Sequence, residues 1–284
     1  MEVWKVETKP GFVFDVSVAG NPRNPMVLML HGFGVSRYLY DAQVAALGAA
    51  GYFAVAPNQR GYSAGARPDP KNLEQYGIEH TIQDAMDIVR ALGHGDRRFH
   101  LVGHDWGGSL SWEIADRYAD RLGSLSMLSR PHPASFVRAM KDDPEQPKRS
   151  SHHKWFLEQD AVPKLLADDV RWLRRRHALN GVPEASVEKH LSVIGNEAAM
   201  TAALAWYRAR GPSHGVTRPT TMPTLFVWGN NDDTVGRMAA EGTHEFIAAP
   251  YTFVELHGVG HYPSDQMPKR VCALLLEHIG QHPA

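Results

Sequence analysis

Five short, mostly apolar runs constrain this chain more than any other feature: MVLML at 26–30, YFAVA at 52–56, FHLVG at 99–103, SLSML at 124–128 and TLFVW at 224–228. A strand with one wet face alternates apolar and polar residues, whereas a strand covered on both faces reads as a nearly continuous apolar run. Segments of helical period separate the runs. The expected architecture is therefore α/β, a mostly parallel sheet flanked by helices on both faces. A partly wet strand at 11–19, carrying Phe12, Phe14 and Val16, comes first, and YTFVEL at 251–256 with a helix at 268–279 closes the sheet. Between residues 56 and 99, Thr81 with Asp84 three positions on has the form of a capping box. It stands ahead of Ile82, Ala85, Ile88, Val89 and Leu92, and Gly93 is expected to end that helix.

The rhythm stops near Arg130 and resumes at Met222. Pro131, Pro133 and Pro144 open the interruption, which continues in helical patterns rich in Trp, Arg and Ala. We expect one core domain, 1–130 with 220–284, carrying an inserted helical cap at 131–219. Thirty Lys and Arg against 31 Asp and Glu give a net charge of −1, which leaves no electrostatic footprint for nucleic acid or an anionic membrane. A 43% hydrophobic content excludes a disordered chain. No apolar run approaches the roughly 18 residues of a membrane span, and the first residues lack the apolar stretch of a secretion signal, so a cytoplasmic setting is expected. Cys272 has no partner for an internal disulfide and is expected to pack in the last helix. The arginines at 171, 174, 175 and 176 read as a solvated helix face. His152 and His153 alone lack the spacing of a metal site, and neither metal nor cofactor is expected.

Chemistry concentrates at LVGHDWGG, 101–108, where an apolar strand ends and a helix begins. Gly103 and Gly107 stand two residues before and two after Asp105. Small residues there permit a sharp strand-to-helix turn that presents the middle side chain. Gly-x-Asp-x-Gly alone also fits a plain helix cap, but other loops add weight. The run at 26–30 leads to His31, Gly32, Phe33 and Gly34; the run at 224–228 leads to Asp232 and Asp233; the strand at 251–256 leads to Gly258, Val259, Gly260 and His261. All lie beyond the carboxyl ends of strands and should converge on one side of the sheet. Asp232 and Asp233 both compete to orient His261, and the spacing from Gly229 favours Asp232.

In these segments, with NQRGYS at 58–63 and AWYR at 205–208, the chain resembles the α/β-hydrolase superfamily, and within it the epoxide hydrolases. The resemblance implies Asp105 as nucleophile, His261 as base oriented by Asp232, backbone N–H groups of Phe33 and Trp106 as an oxyanion hole, and Tyr207 as the donor that opens the ring. A second donor early in the cap, four residues before a phenylalanine, falls on His152 when counted from Phe156, with His153 as the other choice. A carboxylate nucleophile has its own logic. Serine attacking a saturated carbon leaves a stable ether, whereas a carboxylate leaves an ester that water can cleave. The expected partners are a small apolar epoxide and water, with a possible homodimer.

Relatives of this kind usually carry His-Gly-x-Pro with a cis peptide, and here Gly34 takes the proline's place. Trp155, Phe156, Trp172, Trp206 and Phe136, with His153, are expected to line an aromatic cavity between cap and sheet. Two other readings stay open. A haloalkane dehalogenase would use the same aspartate without needing Tyr207, and a ligand-binding protein of the same fold would have no use for the complete Asp105, Asp232 and His261 set.

Overall fold

All five runs form strands in the computed structural model, which describes residues 1–209, 216 and 218–284. The strands are β1 (Glu2–Lys9), β2 (Phe12–Ala19), β3 (Met26–Leu30), β4 (Phe53–Pro57), β5 (Phe99–His104), β6 (Leu122–Leu128), β7 (Thr224–Gly229) and β8 (Tyr251–Leu256). They make one sheet in the order β1-β2-β4-β3-β5-β6-β7-β8. β2 pairs antiparallel with β1 and β4, and every later pairing is parallel. The α/β-hydrolase architecture expected from the sequence is thus present. β1 was not anticipated, because it is an edge strand in which only Val6 is buried.

Twelve helices cover and extend the sheet among the described residues: α1 (Asp41–Ala49), α2 (Ile78–Val89), α3 (Asp105–Arg117), α4 (Pro133–Asp142), α5 (Gln146–Arg149), α6 (His152–Trp155), α7 (Ala161–Leu179), α8 (Glu184–Ile194), α9 (Glu197–Arg208), α10 (Arg237–Glu241), α11 (Pro263–Gln266) and α12 (Pro268–Gln281). The pleat divides the core. From β3, Val27 and Met29 join a cluster with α1, α12 and the inserted helices, while Met26, Leu28 and Leu30 join a second cluster with α2, α3 and α10. Residues two apart share a face and neighbours do not, so burial on both faces is what the unbroken run encodes.

Several expectations are corrected. α2 begins at Ile78 with Gly77 before it, not at a capping box. The Thr81 hydroxyl donates to the Ile78 carbonyl at 2.9 Å, and Asp84 is taken by Arg60 in a buried ion pair at 2.6 and 2.7 Å. α4, within the stretch assigned to the cap, packs through Phe136 and Ala139 into the cluster of α2, α3 and α10, so Phe136 lines no cavity over the strand ends. Cys272 lies in α12 as expected, only partly buried. α7 breaks at Ala167–Val170, where Asp168, Asp169 and Val170 all adopt left-handed φ.

Candidate active site

Asp105 opens α3 with φ at +50°. A left-handed conformation costs an L residue roughly 1–2 kcal/mol and persists only where its surroundings hold it. Close packing does so here. A Cβ at Gly107 would collide with the carbonyls of Leu30 and His31, so this glycine lets α3 press onto the end of β3. The loop after β3 is thereby brought to Asp105, and the Phe33 N–H donates to Asp105 Oδ1 at 2.9 Å. Gly34, at φ +79°, turns that loop in a conformation proline cannot adopt, and the described residues contain no cis peptide.

From the loop after β8, His261 Nδ1 lies 2.9 Å from both oxygens of Asp232, on the loop after β7. Asp232 is itself fixed, because its Oδ1 accepts the N–H groups of Thr234 and Val235 at 2.7 and 2.9 Å. Asp233 instead pairs with Arg176 at 3.2 Å, so the partner of His261 is Asp232. The other imidazole nitrogen, Nε2, faces Asp105 Oδ2 at 3.6 Å. The two oxygens of Asp105 therefore have separate neighbours: Oδ1 the Phe33 amide, Oδ2 the histidine. The Asp105 side chain is 15% exposed and remains reachable.

The electrostatics follow from this arrangement. Burial opposes a charge on His261, but attraction to Asp232, reinforced by Asp105, outweighs it and pushes the pKa up to about 10. Burial likewise opposes the charge on Asp105, yet the hydrogen bond and charge of His261, with the Phe33 amide, hold its carboxyl well below the usual range. The resting site is an imidazolium between two carboxylates. Beside it, burial keeps His104 neutral, with a pKa of about 4. Its Nε2 lies 2.8 Å from the His261 carbonyl oxygen and, as a neutral N–H, donates to it.

Tyr207, on α9, lies close enough to Asp105 to feel its charge. Its ring centroid lies 5.4 Å from Phe33, 4.9 Å from Trp106 and 5.0 Å from Phe156. Burial, then the charge of Asp105, raises its pKa well above the phenol range, so its proton stays on. The Trp106 side chain hydrogen-bonds to Tyr207, and as indole offers only an N–H, the phenol oxygen is the acceptor. His152 and His153 differ in position. His153 makes a ring contact with Tyr207 at 5.5 Å, whereas His152 packs on Phe156 at 5.4 Å. Burial, then Arg176, lowers the His152 pKa to about 3. Trp155 packs on Phe156 and Trp172 in one aromatic wall. Trp206 does not join that wall: its indole N–H donates to the Arg60 carbonyl at 3.1 Å, and it packs with Tyr76, Ala202 and Ala205 to seat α9.

Three further residues, whose parts carry no signal in the sequence, hold the site in place. Asn180, just past α7, accepts the His261 N–H on Oδ1 at 2.7 Å. Arg149 donates to the Asp232 carbonyl. Arg176 is no solvated arginine: it holds Asp233, Thr234 and the Tyr262 hydroxyl. The other arginines of its run fit the expected surface better, Arg171 pairing with Asp168 and Arg174 with Asp169, Glu184 and Glu188.

Residues 27–274 match a model described as the alpha/beta hydrolase family. The chain is 28% identical over 281 residues to epoxide hydrolase 3 of Xenopus tropicalis, covering 95% of this chain and 75% of that one. It is 29% identical over 304 residues to epoxide hydrolase A of Mycobacterium tuberculosis, covering 92% of each. Among solved structures, one of the novel epoxide hydrolases from metagenomes of hot environments superposes with a TM-score of 0.84 at 25% identity, over 98% of both chains.

Proposed function

Because the chain belongs to the alpha/beta hydrolase family, we propose from its site and its relatives that it hydrolyses epoxides to vicinal diols, with the inserted stretch 131–219 as the cap over the strand ends. The observation that carries this reading is the division of the Asp105 oxygens between the Phe33 amide and His261. One oxygen is held by a backbone amide, while the other, 3.6 Å from His261 Nε2, is left to attack.

Asp105 Oδ2 attacks an epoxide carbon and the ring C–O bond breaks. Tyr207 donates to the oxygen that leaves, its own oxygen supported by the Trp106 indole. Asp105 is now a neutral ester, so His261 loses one of the two carboxylates that kept it charged. It releases its proton, that of Tyr207 is restored through solvent, and neutral Nε2 takes a proton from a water that attacks the ester's acyl carbon. The Phe33 and Trp106 amides meet the resulting oxyanion on Oδ1. Collapse breaks the bond to the alkyl oxygen, which takes the proton from His261, and the acid of Asp105 then protonates His261 again. The ring contact favours His153 over His152 as a second donor beside Tyr207.

The dehalogenase reading is weaker. Phe33 and Gly34 offer no side-chain donor to a halide, and the Trp106 indole N–H is occupied by Tyr207. A panel of styrene-type, aliphatic and disubstituted epoxides run beside haloalkanes tests the choice: diol from at least one epoxide, faster than halide release from any haloalkane, is expected. Faster haloalkane turnover overturns it.

A further inference from the structure

Phe33, whose amide holds Asp105 Oδ1, stands between two glycines. A Cβ at Gly32 would collide with the Asp105 side chain, and Gly34 takes a left-handed φ of +79°. Glycine restricts its backbone less than any other residue, so this loop does not fix the direction of the Phe33 amide by itself. The Phe33 ring packs on Phe156 and Tyr207 at 4.8 and 5.4 Å, but apolar packing is non-directional. A directional hold enters three residues on, at Ser36.

The Ser36 N–H donates to His190 Nδ1 at 3.2 Å, and the Ser36 hydroxyl lies 3.2 Å from the same nitrogen. An amide N–H only donates, so Nδ1 carries no proton; the imidazole proton is on Nε2, which donates to Asp265 Oδ2 at 3.0 Å. His190 comes from α8 in the inserted stretch, Ser36 from the loop after β3, and Asp265 from α11, just past His261. One imidazole therefore joins three elements. Its neighbour Lys189 pairs with Asp41 at 2.7 Å and pins α8 to the start of α1, so the anchor is itself held. Serine, histidine and aspartate in line have the composition of a hydrolytic triad, yet Ser36 and His190 are wholly buried and Asp265 is nearly so. No substrate reaches them, and the array sets position only.

We propose that His190 is a positioning residue for ester hydrolysis: through Ser36 it fixes the loop after β3, so that the Phe33 amide stays on Asp105 Oδ1 while negative charge gathers there. The inference rests on the epoxide reading. During alkylation Oδ1 loses charge and a well-aimed donor gains little, whereas the tetrahedral intermediate puts a full charge on it, where one oxyanion donor is worth roughly 10²–10³ in rate. Slackening the loop therefore slows the second step more than the first.

The test reads the two rates separately, ester formation by stopped flow and ester hydrolysis by decay of the alkyl-enzyme, in two replacements that each keep half of the array. His190→Gln reaches Asp265 and loses the acceptor for Ser36; His190→Asn keeps an acceptor near the place of Nδ1 and leaves Asp265 unpaired. The ratio of hydrolysis to alkylation should fall by ~10-fold or more in His190→Gln, part of the worth of an oxyanion donor. It should largely recover in His190→Asn, although a stranded buried carboxylate makes that variant the less stable of the two in thermal melts. A merely structural histidine predicts the opposite order, with the less stable variant the more impaired. Asp265→Leu removes the acceptor that keeps the proton on Nε2 and loosens the same loop without replacing His190. It should lower the ratio by about threefold, the worth of one weakened hydrogen bond. A ratio unchanged in both His190→Gln and Asp265→Leu, or lowered more in His190→Asn than in His190→Gln, overturns the proposal while native turnover of epoxides stands. A native protein that forms neither diol nor an Asp105 adduct overturns the epoxide reading as well.

Discussion

The Phe33 N–H donates to Asp105 Oδ1 at 2.9 Å, although the two residues lie 72 positions apart. The contact distinguishes two otherwise equivalent oxygens before any substrate arrives. On the proposed mechanism it leaves Oδ2, 3.6 Å from His261 Nε2, as the attacking atom. On that mechanism the bond that prepares the first step also orients the carboxyl carbon for the second.

Replacing His261 with Gln should stop the reaction after alkylation, since only ester hydrolysis requires the base. Intact-protein mass spectrometry should show one adduct of the epoxide's mass on the peptide holding Asp105, and none in Asp105→Ala. In a single turnover of the native protein in oxygen-18 water, the heavy atom should enter Asp105 and not the first diol. Label in the first diol would rule out the ester.

Tyr207→Phe keeps the ring and its packing but removes the donor. Alkylation by epoxides should slow by ~10²–10⁴, the usual worth of a general acid, with little change in affinity. His153→Ala should cost less, and the double variant less than the product of the two, if both groups hold one oxygen. Stopped-flow measurement of ester formation reads each rate.

Asp105→Asn removes one of the two carboxylates that hold the proton on His261. The imidazole pKa should fall from about 10 by about 1–3 pH units, followed by NMR of the ring. Stability shifts with it. A folded pKa above the unfolded value near 6.5 stabilises the native state fully below pH ~6.5, and this contribution is lost as pH rises toward 10. The native protein should lose it across that window in urea titrations, and Asp105→Asn should lose a smaller amount over a window that closes at lower pH. An unchanged imidazole pKa would mean that Asp232 alone holds the proton.

Asn180→Ala leaves the buried His261 N–H without its acceptor, a loss of about 1–3 kcal/mol in stability. It should also slow ester hydrolysis more than alkylation, so that alkyl-enzyme accumulates in the steady state. Asn180→Asp, which keeps the acceptor oxygen, should restore the balance between the two steps. Equal slowing of both steps would assign Asn180 a purely structural part.

The strands were legible because burial on both faces leaves no room for polar residues, as in β3, where every residue is buried. The elbow was legible because a turn that tight needs glycines at fixed positions. β1 was illegible since an edge strand needs little apolar content, and its charged residues hid it. Thr81 and Asp84 misled because a capping pair and an ion-pair acceptor have the same letters, and Arg60, which decides between them, is distant in sequence. The aromatic residues gave class but not direction: Phe136 packs with α2, α3 and α10, and Trp206 on Trp106 and the Arg60 carbonyl, outside the wall that Trp155 and Phe156 build. Asn180 and Arg176 act through contacts across the fold, which no local pattern records.

The end of α7 and the residue after it grip both loops that carry Asp232 and His261, Asn180 through the backbone of His261 and Arg176 through Asp233 and Thr234 beside Asp232. On the proposed reading, cap and base therefore share parts. A chimaera that borrows a relative's insertion to change its choice of substrate would disturb the base unless residues 176–180 travel with the host. The transplantable portion is the stretch before that turn, and evolution of selectivity in this protein is freest there.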